Sequence, residues 1–237
     1  MLRGWWKTFI TRIQNVITAS PTAHLSPLPK PTSSFSTVQM STVRVAVVTG
    51  AGQGIGRAIA IRLAEDGLNI AINDLESQRH NLEEVRDVIA ARGRRSLVFT
   101  GDVSDESTVK SLVSSVVEAL GGIDVMVANA GICFPKSVLE SEVFNSLLSL
   151  PLKLFTATVE EWDKIFRINA RSVFLSYKYA AKQMIAQGRG GRIIGASSGA
   201  GKEAVPMLGA YAGTKAAVRA ITQASGEQPS LKSFNFV

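Results

Sequence analysis

Cysteine and histidine are scarce in this 237-residue chain, which contains one cysteine and two histidines. The single cysteine, Cys133, excludes an intramolecular disulfide, which is typical of proteins from a reducing compartment. Because only one thiol is available and His24 and His80 lie far apart in the sequence, we expect no bound metal. Apolar runs of about 18 or more residues are also absent, so the sequence predicts no transmembrane helix and favours a cytoplasmic protein.

Acidic residues are absent from the first 44 positions, which carry five basic residues. The rest of the chain has 21 basic and 19 acidic residues, so most of the net charge of +7 belongs to this first segment. No stripe of basic residues interleaved with aromatic residues follows it. We therefore expect no nucleic-acid partner.

Residues 1–41 are rich in Ser, Thr and Pro, and their first 17 positions have the spacing of a basic amphipathic helix. Two interpretations of this segment stay open. It is either a mitochondrial presequence or a disordered leader upstream of a true start at Met40. In both cases the predicted domain occupies residues 42–225.

From Val43 onward, short apolar runs alternate with segments of helical periodicity. Strands are predicted at 43–50, 68–74, 95–102, 123–131 and 191–198. Helices are predicted at 55–66, 78–92, 105–120, 158–187 and 210–224. This alternation predicts an α/β domain in which right-handed βαβ units build a parallel sheet covered by helices on both faces.

The alternation is broken in two places. Thr158 and Glu161 form a T-x-x-E capping box, so a helix is predicted to start there, after a loop of about 26 residues. Within that loop, residues 142–157 are interpreted as an atypical insertion. After the last helix, residues 226–237 show no periodicity and are predicted to be a tail.

The segment TGAGQGIG, from Thr49 to Gly56, joins the first predicted strand to the first helix. Three glycines in this context are typical of a dinucleotide site: Gly50 permits a sharp turn, Gly54 lets the backbone approach a pyrophosphate, and Gly56 allows close packing of helix on strand. The N-terminus of the helix offers free N–H groups and a partial positive charge to the phosphates. An ordinary tight turn is the alternative.

Asp74 lies at the end of the second predicted strand, 18 residues after Gly56. A carboxylate there accepts hydrogen bonds from the adenosine ribose hydroxyls and repels a 2′-phosphate, which favours NAD over NADP. Gln53 brings no cation for a 2′-phosphate into the glycine-rich loop, whereas Arg57 and Arg79 keep NADP open as an alternative. The other interpretation of Asp74 is a solvated residue at a strand end.

Tyr211 and Lys215 stand four residues apart at the start of the last predicted helix, so they share a face of that helix. A free phenol has a pKa of about 10, which is too high for a base at neutral pH, and a neighbouring ammonium favours the phenolate. This spacing alone occurs often by chance. Its position after the fifth strand, with Ser198 thirteen residues upstream, indicates an acid/base pair.

Six motifs in order resemble the short-chain dehydrogenase/reductase family: TGAGQGIG, GDV at 101–103, NAG at 129–131, RINARSVF around Asn169, SS at 197–198 and YAGTK at 211–215. The resemblance covers residues 43–225 apart from the long loop. Within the family, DVMVANAGIC and YKYAAKQMIAQGRGGRIIGASS are similar to the acetoin/diacetyl reductases. The resemblance implies a Rossmann-type doubly wound parallel sheet with strand order 3-2-1-4-5.

The resemblance also implies the catalytic residues. Tyr211 would exchange a proton with the substrate oxygen, Lys215 would hold the nicotinamide ribose and favour the phenolate, and Ser198 would hydrogen-bond the substrate oxygen. Asn169 would position a water of the proton relay through its backbone. Taken alone, Ser197 and Ser198 would be residues that satisfy strand-end amides, and Asn169 would be a helix residue that faces solvent.

Binding of NAD is implied for fourteen residues. Asp102 and Val103 would contact the adenine, and Asn129 would line the floor of the cofactor site. The full set is Thr49, Gly50, Gln53, Gly54, Ile55, Gly56, Asp74, Asp102, Val103, Asn129, Ala130, Gly131, Tyr211 and Lys215.

The chain departs from the family after the last predicted helix, where the family adds further strands and a substrate-covering loop. We expect the fifth strand to be an exposed edge and the nicotinamide side of the site to lack a wall. Retained intron sequence at 142–157, together with a frame change or a mis-spliced exon at the end, would explain both departures. A genuine surface insertion that forms a lid or binds a partner is the alternative.

The predicted function is NAD-dependent interconversion of a small ketone and a secondary alcohol by a C-terminally truncated chain, with acetoin or diacetyl as the expected substrate. We expect a homo-oligomer if the fold is complete enough. Two alternatives stay open. One is a 3-oxoacyl or sugar-alcohol substrate, and the other is an inactive isoform that binds nucleotide or a family partner.

Overall fold

The computed structural model describes residues 43–135, 157–203, 205–226 and the backbone of 234–236. The predicted leader, residues 142–156 of the predicted insertion, and residues 227–233 and 237 of the predicted tail lie outside the described residues. All of the described residues belong to one unit, which begins at Val43.

Strands and helices alternate through this unit as the sequence predicts. The strands are β1 Val45–Thr49, β2 Asn69–Asp74, β3 Ser96–Thr100, β4 Val125–Ala128, β5 Gly191–Gly195 and β6 Phe234–Phe236. The helices are α1 Gly54–Glu65, α2 Arg79–Ala90, α3 Glu106–Leu120, α4 Val159–Phe166, α5 Ser172–Gln187 and α6 Gly209–Gly226.

The strands form one sheet in the order β3-β2-β1-β4-β5-β6, with every pair of neighbours parallel. The predicted order 3-2-1-4-5 is confirmed for the five predicted strands. The expectation that β5 is an exposed edge is wrong, because β6 pairs with it in the register Gly191↔Phe234 and Ile193↔Phe236. Helix α6 supplies the crossover that a parallel pair needs, and a strand of three residues is too short to show a period in the sequence.

The core lies on both sides of the central strands. All five residues of β1 and all four of β4 are buried. Because successive side chains of a strand point to opposite faces, this burial requires cover on both faces of the sheet, as predicted. Helix α1 packs beside α2, and α3 packs beside α5.

Helix ends follow the residues that the sequence offers for capping. The Asp105 carboxylate accepts from the Thr108 amide at 2.9 Å at the start of α3. The predicted capping box at the start of α4 is confirmed: the Thr158 hydroxyl accepts from the Glu161 amide at 3.2 Å, and the Glu161 carboxylate accepts from the Thr158 amide at 3.0 Å. None of the helices in the described ranges is long and apolar enough to cross a membrane.

The long helix predicted over 158–187 contains an interruption. Between α4 and α5 the five residues Arg167–Arg171 adopt a π-helical turn. Such turns widen a helix locally and often occur at functional sites. Asn169 lies at the centre of this turn, and its side chain is fully buried.

Candidate active site

A cleft of about 570 Å³ opens at the carboxyl ends of the central strands. It lies beside β1, where the strand order reverses: the chain continues from β1 to β2 and β3 on one side, and from β3 it crosses to β4 on the other. This is the usual ligand position in an open parallel sheet. Thirteen of the fourteen residues predicted to bind NAD line this cleft. The exception is Thr49, which is buried behind the lining.

The glycine-rich loop has the geometry that the three glycines predict. A Cβ on Gly56 would lie 2.0 Å from the Gly50 carbonyl oxygen, so only glycine allows α1 to approach β1 this closely. Gly54 has a φ of +55°, and a Cβ there would meet nothing within 4 Å, so the loop is open toward the cleft at this point. The loop therefore leaves room for a phosphate group at the N-terminus of α1.

The Asp74 carboxylate ties this loop to the end of β2. One carboxylate oxygen accepts from the Gly52 amide at 2.9 Å, and the other accepts from the Leu75 amide at 2.9 Å. Asp74 is half-buried and lines the cleft. A carboxylate fixed in this way presents a negative charge and acceptor positions at one end of the cleft.

Thr49 and Asn129 join the ends of β1 and β4 beneath the cleft. The Thr49 hydroxyl oxygen accepts from the backbone amides of Asn129 at 3.0 Å and Ala130 at 3.1 Å. In return, the Asn129 side-chain amide donates to the backbone carbonyls of Thr49 at 3.0 Å and Gly50 at 3.3 Å. Thr49 thus acts behind the lining, as a support for residues that face the cleft.

Tyr211 and Lys215 line the same cleft as the glycine-rich loop. The Lys215 ammonium lies 5.6 Å from the centroid of the Tyr211 ring and donates to the Ala196 carbonyl at 2.7 Å. Lys215 is 5% exposed, and burial lowers the pKa of its ammonium because the charged form loses hydration. Burial likewise raises the pKa of the nearby Cys133 thiol, and the Lys215 charge opposes that rise.

Asn169 does not face solvent, which was one interpretation of its sequence position. Its carboxamide oxygen accepts from the Ile132 amide at 2.8 Å, and its nitrogen donates to the Ile132 carbonyl at 2.8 Å and to the Thr214 hydroxyl at 3.2 Å. The side chain thereby pairs with the segment after β4 as a neighbouring strand would, and it connects that segment to α6. Asn169 itself is not among the residues that line the cleft.

Ser198 lies in the segment that follows β5, at a 3₁₀ turn. Its hydroxyl oxygen accepts from the Ala200 amide at 3.2 Å at the start of a short 3₁₀ turn, and it does not line the cleft. Its neighbour Ser197 does line the cleft, and the Ser197 hydroxyl donates to the Lys215 carbonyl at 3.0 Å. The Ser198 contact is thus with a backbone amide shortly after β5, whereas the Ser197 contact is with a carbonyl of α6.

Nine residues of the lining were not predicted as site residues, and three of them, Asn73, Cys133 and Ser197, carry polar or reactive side chains of particular interest. Asn73 had a signal, since it is a polar residue between the apolar centre of β2 and Asp74. Ser197 had one too, because it belongs to the SS motif. Nothing in the sequence marks Cys133. Among the residues described, no group of three His, Cys, Asp or Glu side chains is arranged to hold a metal ion.

The cleft therefore joins two kinds of chemistry. Its phosphate side is open at Gly54 beside a helix N-terminus, and it ends at the Asp74 carboxylate. Its other side presents a phenol and a buried ammonium. These residues fit an extended ligand with phosphates at its centre and a reacting group near Tyr211.

Comparison with known proteins agrees with this geometry. A family model described as short chain dehydrogenase matches residues 44–230. A short-chain dehydrogenase/reductase of Armillaria gallica is 48% identical over 189 residues, covering 80% of this chain and 66% of that protein. The L-2,3-butanediol dehydrogenase of Corynebacterium glutamicum is 37% identical over 185 residues, with 78% of this chain and 66% of that protein covered.

Two solved structures of dehydrogenases are also similar to this chain. Acetoin dehydrogenase YohF of Salmonella typhimurium superposes with a TM-score of 0.67 at 28% identity, covering 78% of this chain and 66% of that chain. A short chain dehydrogenase/reductase of Burkholderia phymatum in complex with NAD has a TM-score of 0.67 at 27% identity, covering 77% and 59%. The chain spans about two thirds of the length of the curated relatives it matches.

Proposed function

The chain belongs to the short-chain dehydrogenase family, and on that basis we propose that it interconverts a small ketone and a secondary alcohol with NAD(H). One observation carries the proposal: the Tyr211 phenol and the Lys215 ammonium share a cleft with the glycine-rich loop. A proton donor beside a dinucleotide cradle is what carbonyl reduction requires, because a hydride and a proton must reach adjacent atoms of the substrate.

Three side chains have separate roles in this reaction: proton transfer, placement of a positive charge, and positioning of the cleft segments. Tyr211 gives a proton to the substrate oxygen during reduction and takes it back during oxidation. Lys215 places a positive charge beside the phenol, and its hydrogen bond to the Ala196 carbonyl fixes its position. Asn169 holds the segment after β4 against α6, so that Ile132 and Tyr211 keep a constant separation across the cleft. Bound NAD(H) would supply or accept the hydride.

NAD is the proposed cofactor because of the Asp74 carboxylate. The amides of Gly52 and Leu75 hold this carboxylate at one end of the cleft, where its negative charge would repel a 2′-phosphate. Arg79 is one of the two arginines that keep NADP as an alternative in the sequence analysis. It forms an ion pair with Glu76 at 2.6 Å and donates a hydrogen bond to the Thr100 hydroxyl at 3.0 Å. Its charge is therefore already partly compensated.

Acetoin or diacetyl is the proposed substrate. The support for this choice is the motif resemblance together with two relatives, which are named as a 2,3-butanediol dehydrogenase and an acetoin dehydrogenase. A 3-oxoacyl thioester or a sugar alcohol is the alternative within the same reaction class. These substrates differ in size and charge, so a panel that contains diacetyl, acetoin, a 3-oxoacyl thioester and sorbitol separates them.

The test uses purified full-length protein, with NADH oxidation followed for diacetyl, acetoin and the 3-oxoacyl thioester, and NAD⁺ reduction followed for sorbitol. We expect turnover with diacetyl, faster with NADH than with NADPH, and a loss of about 10²–10⁴-fold in kcat for Tyr211→Phe, with NADH affinity and melting temperature close to those of the wild type. Full activity of Tyr211→Phe would refute the assigned role. Size-exclusion chromatography of the same sample tests the predicted homo-oligomer.

A second candidate function is nucleotide binding without turnover. The position of Ser198 favours it, because this hydroxyl caps a 3₁₀ turn instead of lining the cleft. The same experiment decides between the two candidates. NADH binding without turnover of any substrate of the panel, in either direction, would support the binding protein.

A further inference from the structure

Asn73 is the last residue but one of β2 and lies in the lining of the cleft, although it is only 1% exposed. Its side-chain nitrogen, which lies 3.5 Å from the neighbouring Asp74 carbonyl, donates its two shorter hydrogen bonds to the carbonyls of Phe99 at 3.1 Å and Gly101 at 3.2 Å. Both of these carbonyl oxygens can only accept, so the nitrogen of the carboxamide must face them. The side chain therefore bridges β2 to the end of β3 and to the turn that follows it.

This turn, formed by Gly101, Asp102 and Val103, is the wall of the cleft beside Asp74. Its backbone is attached to β2 through the Gly101 amide, which donates to the Asp74 carbonyl at 2.9 Å. Asn73 adds a side-chain attachment to the carbonyl of the same glycine. With both the amide and the carbonyl of Gly101 held by β2, the turn has little freedom to move relative to Asp74.

The carboxamide oxygen of Asn73 has no hydrogen-bond partner among the described residues and is buried. A buried acceptor left in this state is unfavourable for stability. An apolar side chain of similar size would avoid that cost but could not hold the Gly101 turn. The arrangement therefore favours a function for the two donated hydrogen bonds over simple filling of space.

We infer that Asn73 is a positioning residue for the adenosine half of NAD(H), acting through the Gly101–Val103 turn. The inference rests on the proposed NAD(H) dependence. It assigns Asn73 no contact with the reacting atoms. Loss of its two hydrogen bonds weakens binding of the adenosine half and leaves the nicotinamide half unaffected.

The variant Asn73→Leu removes both hydrogen bonds at similar side-chain size. The probes are NADH, ADP-ribose as the adenosine half, and reduced nicotinamide mononucleotide as the other half, with dissociation constants measured by fluorescence and by competition. For Asn73→Leu we expect NADH and ADP-ribose to bind about tenfold more weakly and the mononucleotide to change by less than about twofold. Asn73→Ser keeps one donor, and we expect a smaller loss in the same direction.

Asn69 provides a matched control on the same strand. It is buried, points to the same face of the sheet as Asn73, and accepts from the Arg95 amide at 3.0 Å at the opposite end of β2. Asn69→Leu also removes a bond between β2 and the chain entering β3. It should lower the melting temperature without changing the ratio of NADH to mononucleotide affinity.

The outcomes separate this inference from the proposed function. Equal weakening of NADH and the mononucleotide in Asn73→Leu, an unchanged NADH affinity, or the same affinity ratio change in Asn69→Leu would overturn the positioning role. If Asn73→Leu does not fold, the ratio of NADH to mononucleotide affinity in Asn73→Ser tests the positioning role instead. Failure of the wild type to bind NADH would overturn the proposed function, and this inference with it.

Discussion

The two ends of the cleft are formed by different kinds of groups, backbone at one end and side chains at the other. The phosphate end, formed by residues 49–56 with Asp74, is mainly backbone: glycines in close contact, and amides that hold one carboxylate. The catalytic end, formed by Tyr211 and Lys215 with Asn169 behind them, consists of side chains carried by helices. The phosphate end should therefore be sensitive to added atoms, and the catalytic end to lost functional groups.

Adding one methyl group at the phosphate end should have the largest effect. In Gly56→Ala the new Cβ would lie 2.0 Å from the Gly50 carbonyl oxygen and 2.6 Å from the Asn129 side-chain nitrogen, so the loop must move. We expect NADH to bind about 100-fold more weakly or worse, and a loss of about 1–3 kcal/mol in the free energy of unfolding. Fluorescence titration and thermal melts measure the two effects.

Gly93→Ala is the control for this change. Gly93 has a φ of +69° and open space around it, so alanine there introduces backbone strain without a collision. It should cost about 1 kcal/mol of stability and leave NADH affinity unchanged. Equal losses of NADH affinity in both variants would contradict the prediction that the collision at Gly56 is what weakens NADH binding.

Removing a functional group at the catalytic end should impair turnover with little loss of stability. In Lys215→Met we expect kcat to fall by about 100-fold or more, because the ammonium beside Tyr211 is lost. The melting temperature at pH 7 should change by less than about 4 °C, since removal of a poorly hydrated charge offsets the lost bond to the Ala196 carbonyl. Lys202→Met, at an exposed lysine, should leave both quantities unchanged.

The same variant should change the pH dependence of stability. Burial lowers the pKa of Lys215 in the folded protein below the 10.5 of the unfolded chain, so the unfolded state binds more protons between those two values. The wild type should therefore gain stability relative to Lys215→Met as the pH rises through this window toward 10.5. Parallel pH profiles of the two proteins would contradict the burial of a charged lysine.

A charge cluster outside both ends of the cleft should give the smallest effect. Hydrogen bonds from Tyr179 and Lys178 lower the pKa of the Glu106 carboxyl to about 2. This carboxylate then contributes stability above about pH 4.5, and the contribution is lost as the pH falls from about 4.5 to about 2. In Glu106→Gln the acid side of the stability profile should become slightly flatter, because solvent screens this exposed group.

Glu118→Gln on the same helix is the matched control, and melts between pH 2 and pH 6 compare the two variants. Glu118 is exposed and takes part in none of the ion pairs found in the described part of the chain. Its removal should leave the acid profile as in the wild type. An equal change in both variants would show that general charge, and not the cluster around Tyr179, sets the response to acid.

Much of the phosphate end could be predicted because its determinants are local in sequence. The glycines, the strand before them and Asp74 lie within about 30 residues, and their spacing reflects steric limits that any surrounding fold must satisfy. The order of the first five strands was implied by the family resemblance, and the structure confirms it. The sixth strand was not, because pairing of Phe234–Phe236 with β5 depends on a distant surface and not on a pattern within three residues.

The catalytic end was predicted in its residues but not in their arrangement. Tyr211 and Lys215 share a helix face by spacing alone. The sequence does not show that Asn169 pairs with Ile132, that Ser198 caps a turn, or that Asn73 holds Gly101. Each of these contacts is a hydrogen bond to a backbone group, and backbone groups have no identity that a sequence could reveal.

By itself, the sequence determined the alternation of strands and helices, the glycine-rich turn, and which side chains with useful chemistry the chain carries. These features follow from periodicity, steric limits and residue type, which are properties of neighbouring residues. Only the tertiary structure decided that Lys215 is buried against the Ala196 carbonyl and that Ser197, not Ser198, lines the cleft. Burial and hydrogen-bond partners depend on segments far apart in the chain, so they exist only once the sheet and its helices have packed.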